Sequence, residues 1–447
     1  MKCRYLFGLF FAVLVALGNS LPIQAQSNDF RVLYTFTLNT NTAYFDSGAS
    51  PTGNLLLLGN TLYGTTASGG AFGAGVIYSI NTDGSGFTNL FNFGSAGVGG
   101  GPNGGLICLG EKLFGTTSDG SVFSISTNGS DFANLTYSSG NMTCGLVSSG
   151  NTLYGVGATD STNWPGNSVF AVDTDGFGFT NIFDFNSSTG DTRQSLAVSG
   201  NTLYGTAGFT NEPGMVFAMN TDGSSFTNLH NFTADEGYES LAPLILSGNT
   251  LYGTTIGGGA QLNGTVFAIN ADGSGFTNLH DFNGTDGSMP QASLFLSGDT
   301  LYGTTFFGGN VFSLNTNGSN FMSLYSFKGK FGYGAPSGVV VSGNTLYGTV
   351  PEGISTANGT TNGIIFALTV PGLPRMAISP PLGIIDLNEK TVVSWPAQAT
   401  NFALQFTTDL SAGKWTVITN GIAVAGTNFV FTNVLNDSTA YFRLKEQ

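Results

Sequence analysis

The 447-residue chain is poor in charge, and poorest in positive charge. Twelve Lys and Arg stand against 26 Asp and Glu, and charged residues make up only 9% of the total. Between Lys112 and Lys328 the only cation is Arg193. Phosphate backbones and anionic lipid surfaces are bound by clusters of Lys and Arg, so nucleic acid and anionic membranes are excluded as partners. Cysteine is nearly missing: apart from Cys3 near the start, only Cys108 and Cys144 occur. Two cysteines are no disulfide framework, which leaves a single Cys108–Cys144 bridge or two buried apolar thiols. No apolar run beyond the first 25 residues is long enough to cross a bilayer.

Those first residues follow an export pattern. Lys2 and Arg4 precede an apolar run from Leu6 to Leu17, and a small-residue region ends near Ala25. Residues 1–25 are therefore expected to be a cleaved signal peptide, giving a secreted or cell-surface protein. Loss of Lys2 and Arg4 would take the formal charge from −14 to −16. What is plentiful is glycine (67) and phenylalanine (38), within a hydrophobic content of 41%. That composition is turn-rich yet ample for a large core, and it excludes disorder.

Three short signatures recur. Leu-Tyr-Gly begins at Leu62, Leu153, Leu203, Leu251, Leu301 and Leu346, with Leu113-Phe114-Gly115 as a variant, at spacings of 40 to 51 residues. A β-branched residue followed by an aromatic also occurs seven times, from Ile77-Tyr78 to Ile365-Phe366. The third, Phe-x-x-Leu-x-x-Phe, as in FTNLHNF from Phe226, appears six times within the units if the degraded FANLTYS is counted. The last unit lacks it, and its missing copy, FRVLYTF, stands at the other end of the chain from Phe30.

Each unit holds four short alternating runs separated by Gly, Asn and Asp turns, for example LAPLILS, NTLYGTT, GTVFAIN and GFTNLHDF. Four strands per 40–50 residues indicate a β-propeller. The spacing predicts an all-β fold: a seven-bladed propeller over residues 26–370, closed non-covalently by the N-terminal strand. In this reading Leu and Tyr of Leu-Tyr-Gly point to opposite blade faces, and the glycine admits a neighbouring sheet.

Loop lengths distinguish the two ends of the ring. From the aromatic of the second signature to the Phe of the third is nine residues in all six cases. The connection from Leu-Tyr-Gly to the next strand varies from 7 to 17 residues, and the one from the outer strand to the next unit from 15 to 26. In an up-and-down blade these two variable connections emerge on one face, where recognition is expected.

The assembled repeat, SGNTLYGTT…GTVFAINTDGSGFTNLHNF, resembles the Gloeo/Verruco (GloVer) tandem repeat of secreted bacterial proteins, over about Phe30 to Leu368. The resemblance implies a secreted or surface protein and carries no catalytic motif. The tail, residues 371–447, has alternating strands and little glycine rhythm. Trp395 in VVSWP and Tyr441 in AYFRL resemble the buried aromatics of a fibronectin type III-like β-sandwich.

Candidate chemistry is sparse. The turn DTDGFG at Asp173 begins like a calcium loop but lacks its twelfth-position Glu; turn chemistry suffices for it, leaving weak calcium binding as the only cofactor reading. His230 and His280 share a position held in other units by Tyr34, Phe91, Thr136, Phe183 and Tyr325, a packing position rather than a general base or a metal ligand. On the variable face, Trp164, Arg193, Asp235, Glu236, Tyr238, Glu239, Phe331 and Tyr333 combine aromatics with charged groups. Rings that stack on sugar C–H faces beside groups that hold hydroxyls are what carbohydrate binding uses. The alternative for each residue is a solvated loop that keeps the protein soluble.

Three functions remain open from the sequence. The first is a monomeric, non-enzymatic propeller binding an extracellular polysaccharide or a surface protein. The second is a polysaccharide hydrolase or lyase working through paired carboxylates. The third is a structural surface or matrix protein.

Overall fold

A computed structural model describes residues 29–446. The exceptions are 38–46, 95–99, 103, 138–141, 143–144, 159–166, 187–188, 191, 193–195, 209–212, 328–336, 352–354, 357–358, 361–362, 372–382, 388–389, 397–401, 408–415, 419–421, 426–427 and 435–440. The described residues form strands and turns, with no helix among them.

Seven four-stranded antiparallel sheets follow one another along the chain. Blade 5 is typical: Ile245–Ser247, Thr250–Thr255, Thr265–Asn270 and Thr277–Asp281, paired in that order. The three-residue first strands of neighbouring blades lie beside one another, as Val147–Ser149 does beside Ala197–Ser199, which places them at the axis. Blade 7 takes Val340–Ser342, Thr345–Val350 and Ile364–Thr369, and its fourth strand is Asp29–Thr35 from the start of the described chain. That strand runs antiparallel, from Asp29 opposite Thr369 to Thr35 opposite Ile364. The displaced third signature therefore closes the ring, and the outer side of Ile364–Thr369 is paired rather than left open.

The seven buried clusters are the seven blade interfaces. Leu203 packs with Tyr154 and Val169 of the preceding blade, while Tyr204 packs with Leu244 and Phe267 of the following one. Leu and Tyr do point to opposite faces, and the tyrosines are interblade core: Tyr63, Tyr154 and Tyr252 are all buried.

The glycine of Leu-Tyr-Gly has a different reason from the one the sequence suggested. A Cβ on Gly253 would fall 2.5 Å from Cζ of Phe267, and the other six copies meet Cζ of the equivalent ring at 2.4–2.7 Å. Gly253 pairs directly with Phe267 across the ladder. What approaches the glycine is thus an aromatic ring of its own blade, folded over the bare backbone; no neighbouring sheet is involved.

The third signature hides a bulge. In blade 4, Val216 pairs with His230 but Phe217 pairs with Asn228, so Leu229 is an extra residue. The same slip occurs at Leu33, Leu90, Leu135, Ile182, Leu279 and Leu324. A one-residue insertion reverses the side-chain alternation beyond it. Phe226 consequently faces the preceding blade, whereas His230 and Phe232 face the following one. At six of the seven interfaces neighbouring outer strands thereby stack: Tyr34 on Phe87 and Phe91 on Phe132 at 3.7 Å, Phe183 on Phe226 at 4.5 Å, His230 on Phe276 at 4.2 Å, His280 on Phe321 at 3.7 Å, and Tyr325 on Phe30 at 4.5 Å. At the remaining interface Thr136 occupies the stacking position opposite Phe179.

Hydrogen bonds repeat the same logic nearer the axis. Thr65, Thr206, Thr304 and Thr349 each donate to a carbonyl of the next blade, of Gly104, Ser240, Ser337 and Pro51. The last of these, at 2.9 Å, spans the closure of the ring. Asn54 of blade 1 donates to Ser293 Oγ and accepts from the Gly338 N–H, both at 2.8 Å, which ties blade 1 to blades 6 and 7.

Beyond Val370 lie two further sheets. One has the order Gly383–Leu387, Lys390–Pro396, Asn428–Val434, Ile422–Ala425; the other has Thr416–Val417, Phe402–Thr407, Tyr441–Glu446.

Candidate functional site

The constant face consists of hairpin turns that satisfy themselves. In Asn-Thr-Asp-Gly-Ser-Gly, the Asp83 carboxylate accepts from the Ser85 N–H at 2.8 Å and its hydroxyl at 2.6 Å, while Asn81 Nδ2 donates to Ser85 Oγ at 3.0 Å. Asp222 with Ser224 and Asp272 with Ser274 repeat the arrangement, and Asn317 with Ser319 does so without a charge. The serine hydroxyls and amides hold the Asp83, Asp222 and Asp272 carboxyls below the ordinary carboxylate range. The turn glycine sits on the bulged residue of the preceding blade: a Cβ on Gly273 would lie 2.6 Å from the Leu229 carbonyl oxygen. The Asp83, Asp222 and Asp272 carboxylates are therefore engaged within their own turns. Among the described residues, no three His, Cys, Asp or Glu converge on one point.

The variable face is organised by a feature the repeat pattern does not announce. In five blades the segment leading into the blade forms a β-bridge with the loop after Leu-Tyr-Gly: Ala49 with Ser68, Pro102 with Thr117, Met142 with Gly157, Tyr238 with Gly257 and Ser288 with Phe307. The two variable connections of a blade are clamped to each other. In blades 1, 5 and 6 the residue after the bridge is left-handed, Ser50 at φ 55°, Glu239 at φ 55° and Met289 at φ 54°. Its carbonyl accepts a second bond, from the N–H of Ala67, Ile256 or Phe306.

This clamp explains where the acidic stretch after Phe232 lies. Glu236 accepts from the Thr233 N–H at 2.8 Å and pairs with Nε2 of His230 at 3.0 Å. Partial burial raises its carboxyl, but the Thr233 N–H and His230 outweigh that and the net shift is downward. In the next blade Asp286 is held the same way, pairing with His280 at 3.0 Å and accepting from the Asn283 N–H at 2.9 Å. Tyr238 lies across Gly257, where a Cβ would fall 2.2 Å from its Cζ, and Asp235 is exposed. Asp235, Glu236, Tyr238 and Glu239 thus share one blade junction, with Glu236 serving the loop. Trp164, Arg193, Phe331 and Tyr333 lie outside the described residues.

Cys108 is a half-buried free thiol that contacts the Gly110 carbonyl at 3.2 Å, and burial pushes its pKa up. Its suggested partner Cys144 lies outside the described residues. A cleft of about 540 Å³ on the constant face runs between blades 2 and 3, lined by Lys112, Phe114, Thr174 and Asp175 among others. It opens where Phe114 replaces the tyrosine of Leu-Tyr-Gly. The exposed apolar residues Phe72, Leu262, Met289 and Phe307 all belong to variable-face loops. Sequence reasoning missed them because loop residues have no periodicity.

The ring, its closure and its two unlike faces define a seven-bladed β-propeller built from tandem repeats. The Gloeobacter/Verrucomicrobia repeat model matches residues 20–208 and 145–366, and the chain belongs to that family. No curated protein matches the sequence. Among solved structures, an oligogalacturonate lyase in complex with manganese is similar with a TM-score of 0.51, over 77% of this chain and 97% of its own, at 12% identity. An oligogalacturonate lyase from Vibrio parahaemolyticus reaches 0.49 over 77% and 98%, also at 12% identity. The computationally designed Ika8 protein reaches 0.44 over 77% and 94%, at 14% identity. At such identities the likeness is one of fold alone.

Proposed function

We propose that this protein is exported and binds an extracellular polysaccharide through its variable face without cleaving it. The observation that carries the reading is the clamping of the variable connections in pairs, seen in five blades. Loops fixed before a ligand arrives lose little conformational entropy on binding, and a merely structural ring has no use for rigid loops of unequal length. Export rests on the basic, apolar and small-residue order of residues 1–25.

Three carboxylates of the variable face are engaged within the fold. Glu236 and Asp286 are engaged by histidines and backbone amides, and Asp281 accepts from the Ala260 N–H at 3.1 Å. Groups held in this way brace loops; Asp235, exposed at the same junction, is the carboxylate that glycoside cleavage would have to use there, so the test reads released product as well as retention. The strand orders of the two C-terminal sheets correspond to A-B-E-D and C′-C-F of an immunoglobulin-like sandwich. This supports a fibronectin type III-like adaptor after the ring.

The test is depletion of the purified protein by a panel of soluble and insoluble polysaccharides, with the supernatants analysed by mass spectrometry. Saturable retention without released oligosaccharide is expected. Shortened or unsaturated sugars would replace the reading with a hydrolase or lyase, and neither retention nor release would leave a structural protein or a protein partner.

A further inference from the structure

Seven copies of one blade make each interface a control for the others, and on the constant face the junction of blades 2 and 3 departs from the pattern at three positions. Where six blades place Thr before Leu-Tyr-Gly, blade 2 has Lys112, and where six place Tyr it has Phe114. The adjoining hairpin of blade 3 carries Phe177 where the five other such hairpins carry Ser.

Phe114 lacks a hydroxyl that other interfaces use. Tyr63 hydrogen-bonds Thr127 of blade 2, and Tyr347 hydrogen-bonds Thr82 of blade 1. The corresponding threonine of blade 3 is Thr174, and opposite it Phe114 leaves a cleft of about 540 Å³, lined also by Leu109, Lys112, Asn151 and Asp175. Small-molecule sites commonly measure about 300–1,000 Å³.

The two charges of this cleft are uncommitted. Lys112 makes no ion pair among the described residues; its charge is only the last contribution, after the Ser130 and Ser126 hydroxyls, to holding the Asp131 carboxyl below its ordinary range. Asp175 accepts one bond, from the Phe177 N–H to Oδ1 at 3.1 Å. The neighbouring carboxylates are engaged outside the lining, Asp131 by those two hydroxyls and Asp173 by Thr152 Oγ1 at 2.9 Å. Glu111 belongs to the exposed turn before Lys112 and does not line the cleft. Folding asks for neither Lys112 nor Phe177, since Thr and Ser serve the other blades, and Ser85 closes its turn by donating to Asp83.

One free ammonium and one free carboxylate in a single cleft select by charge. A neutral guest would desolvate both without pairing either, and a simple anion or cation would pair one and strand the other. A molecule carrying both charges satisfies both. Phe177, 75% exposed in the turn that holds Asp175, offers an aromatic face to a cation bound there.

We infer that this cleft binds a small zwitterion, a free amino acid or a short peptide with free termini, its carboxylate on Lys112 and its ammonium on Asp175. Phe114 provides the room, and Asn151 and Thr174 supply further polar contacts. The site is independent of glycan binding on the variable face.

The test is titration calorimetry of the full protein with leucine and leucylleucine, and with N-acetylleucine, leucinamide and glucose as probes that lack one or both charges. The wild type should bind leucine or leucylleucine saturably, and which of the two binds separates an amino acid from a peptide as the source. Each blocked form should bind at least about tenfold more weakly, because one charged contact is lost. Lys112→Thr, Phe114→Tyr and Asp175→Asn each install a residue that other blades already use; Asn128 and Asn317 close their turns as Asp175 does. Each should weaken binding about tenfold while the unfolding midpoint stays the same or rises. Lowered midpoints with unchanged affinity would assign these residues to the fold and overturn the site. Equal binding of free and blocked forms, or binding of glucose alone, would overturn the ligand class. Unchanged affinity in all three variants would overturn the location, and no binding of any probe by the wild type would overturn the inference as a whole.

Discussion

At six of seven interfaces an aromatic at the fifth position of the outer-strand signature stacks on the first Phe of the next blade. Blade 2 offers Thr136 instead, opposite Phe179, and the register that places it is the one that places His230 on Phe276. Thr136→Phe should therefore complete the ring of stacks. Half-burying a Phe side chain is worth about 1 kcal/mol, and an offset-stacked pair adds about 0.5–1.5 kcal/mol. Ordering the new side chain costs roughly 0.5–1 kcal/mol, leaving a net gain of about 1 kcal/mol. At roughly 2 cal/mol/K per residue near 60 °C, a ring of this size unfolds with an entropy that converts the gain into about 1–2 °C in Tm. Chemical denaturation midpoints are the better assay, run as a cycle with Phe179→Leu to isolate the coupling between positions 136 and 179. The reciprocal variant Phe183→Thr breaks an existing stack on Phe226 and an edge contact to Phe185, and should cost about 2 kcal/mol. A coupling energy of zero, with Phe183→Thr no worse than an ordinary surface change, would refute the claim that these stacks hold the blades together.

Three further outcomes follow from the same packing. Tyr78 stands where the other six blades have Phe, and its fully buried hydroxyl has no hydrogen-bond partner among the described residues. Tyr78→Phe should stabilise the protein by about 1–2 kcal/mol, measured by denaturant titration. Gly253→Ala would drive a methyl to 2.5 Å from Phe267, whereas Gly248→Ala meets nothing within 4 Å at φ 58°. The first should cost about 2–3 kcal/mol and the second about 1 kcal/mol; the reverse order would contradict the account of the signature glycine. The Glu236 carboxyl is held below its ordinary range by Thr233 and His230 despite partial burial. Its stabilisation is thus present above the unfolded pKa of about 4.3 and lost as pH falls through the lower folded value. The stability gap between wild type and Glu236→Gln, about 1 kcal/mol at pH 6, should narrow as pH falls below that unfolded value.

Architecture was legible wherever a signature repeats. The seven Leu-Tyr-Gly copies gave the blade count, and the FRVLYTF segment gave the closure, because a strand missing from one end had to be supplied from the other. The bulge at Leu229 was not legible: FTNLHNF reads as an ordinary alternating strand until its pairing to Phe217 is seen. The partner of Gly253 was misassigned for a related reason, since only the ladder shows that it faces Phe267 across one sheet. On the variable face the sequence reached Glu236 and Tyr238 through their residue types but not their engagement with His230 and Gly257.

The ring closure decides the rest, since it completes the scaffold from which the described variable connections emerge on one face. Asp29 stands directly opposite Thr369, within the range that a disulfide can bridge. The direct measurement is mass mapping of the Asp29→Cys/Thr369→Cys protein, produced without its first 25 residues and with Cys108 and Cys144 replaced by serine. A single intramolecular disulfide that raises the unfolding midpoint and is lost on reduction is the predicted result. Free thiols, or dimers joined between chains, would mean that Asp29–Thr35 does not complete the seventh blade of its own ring.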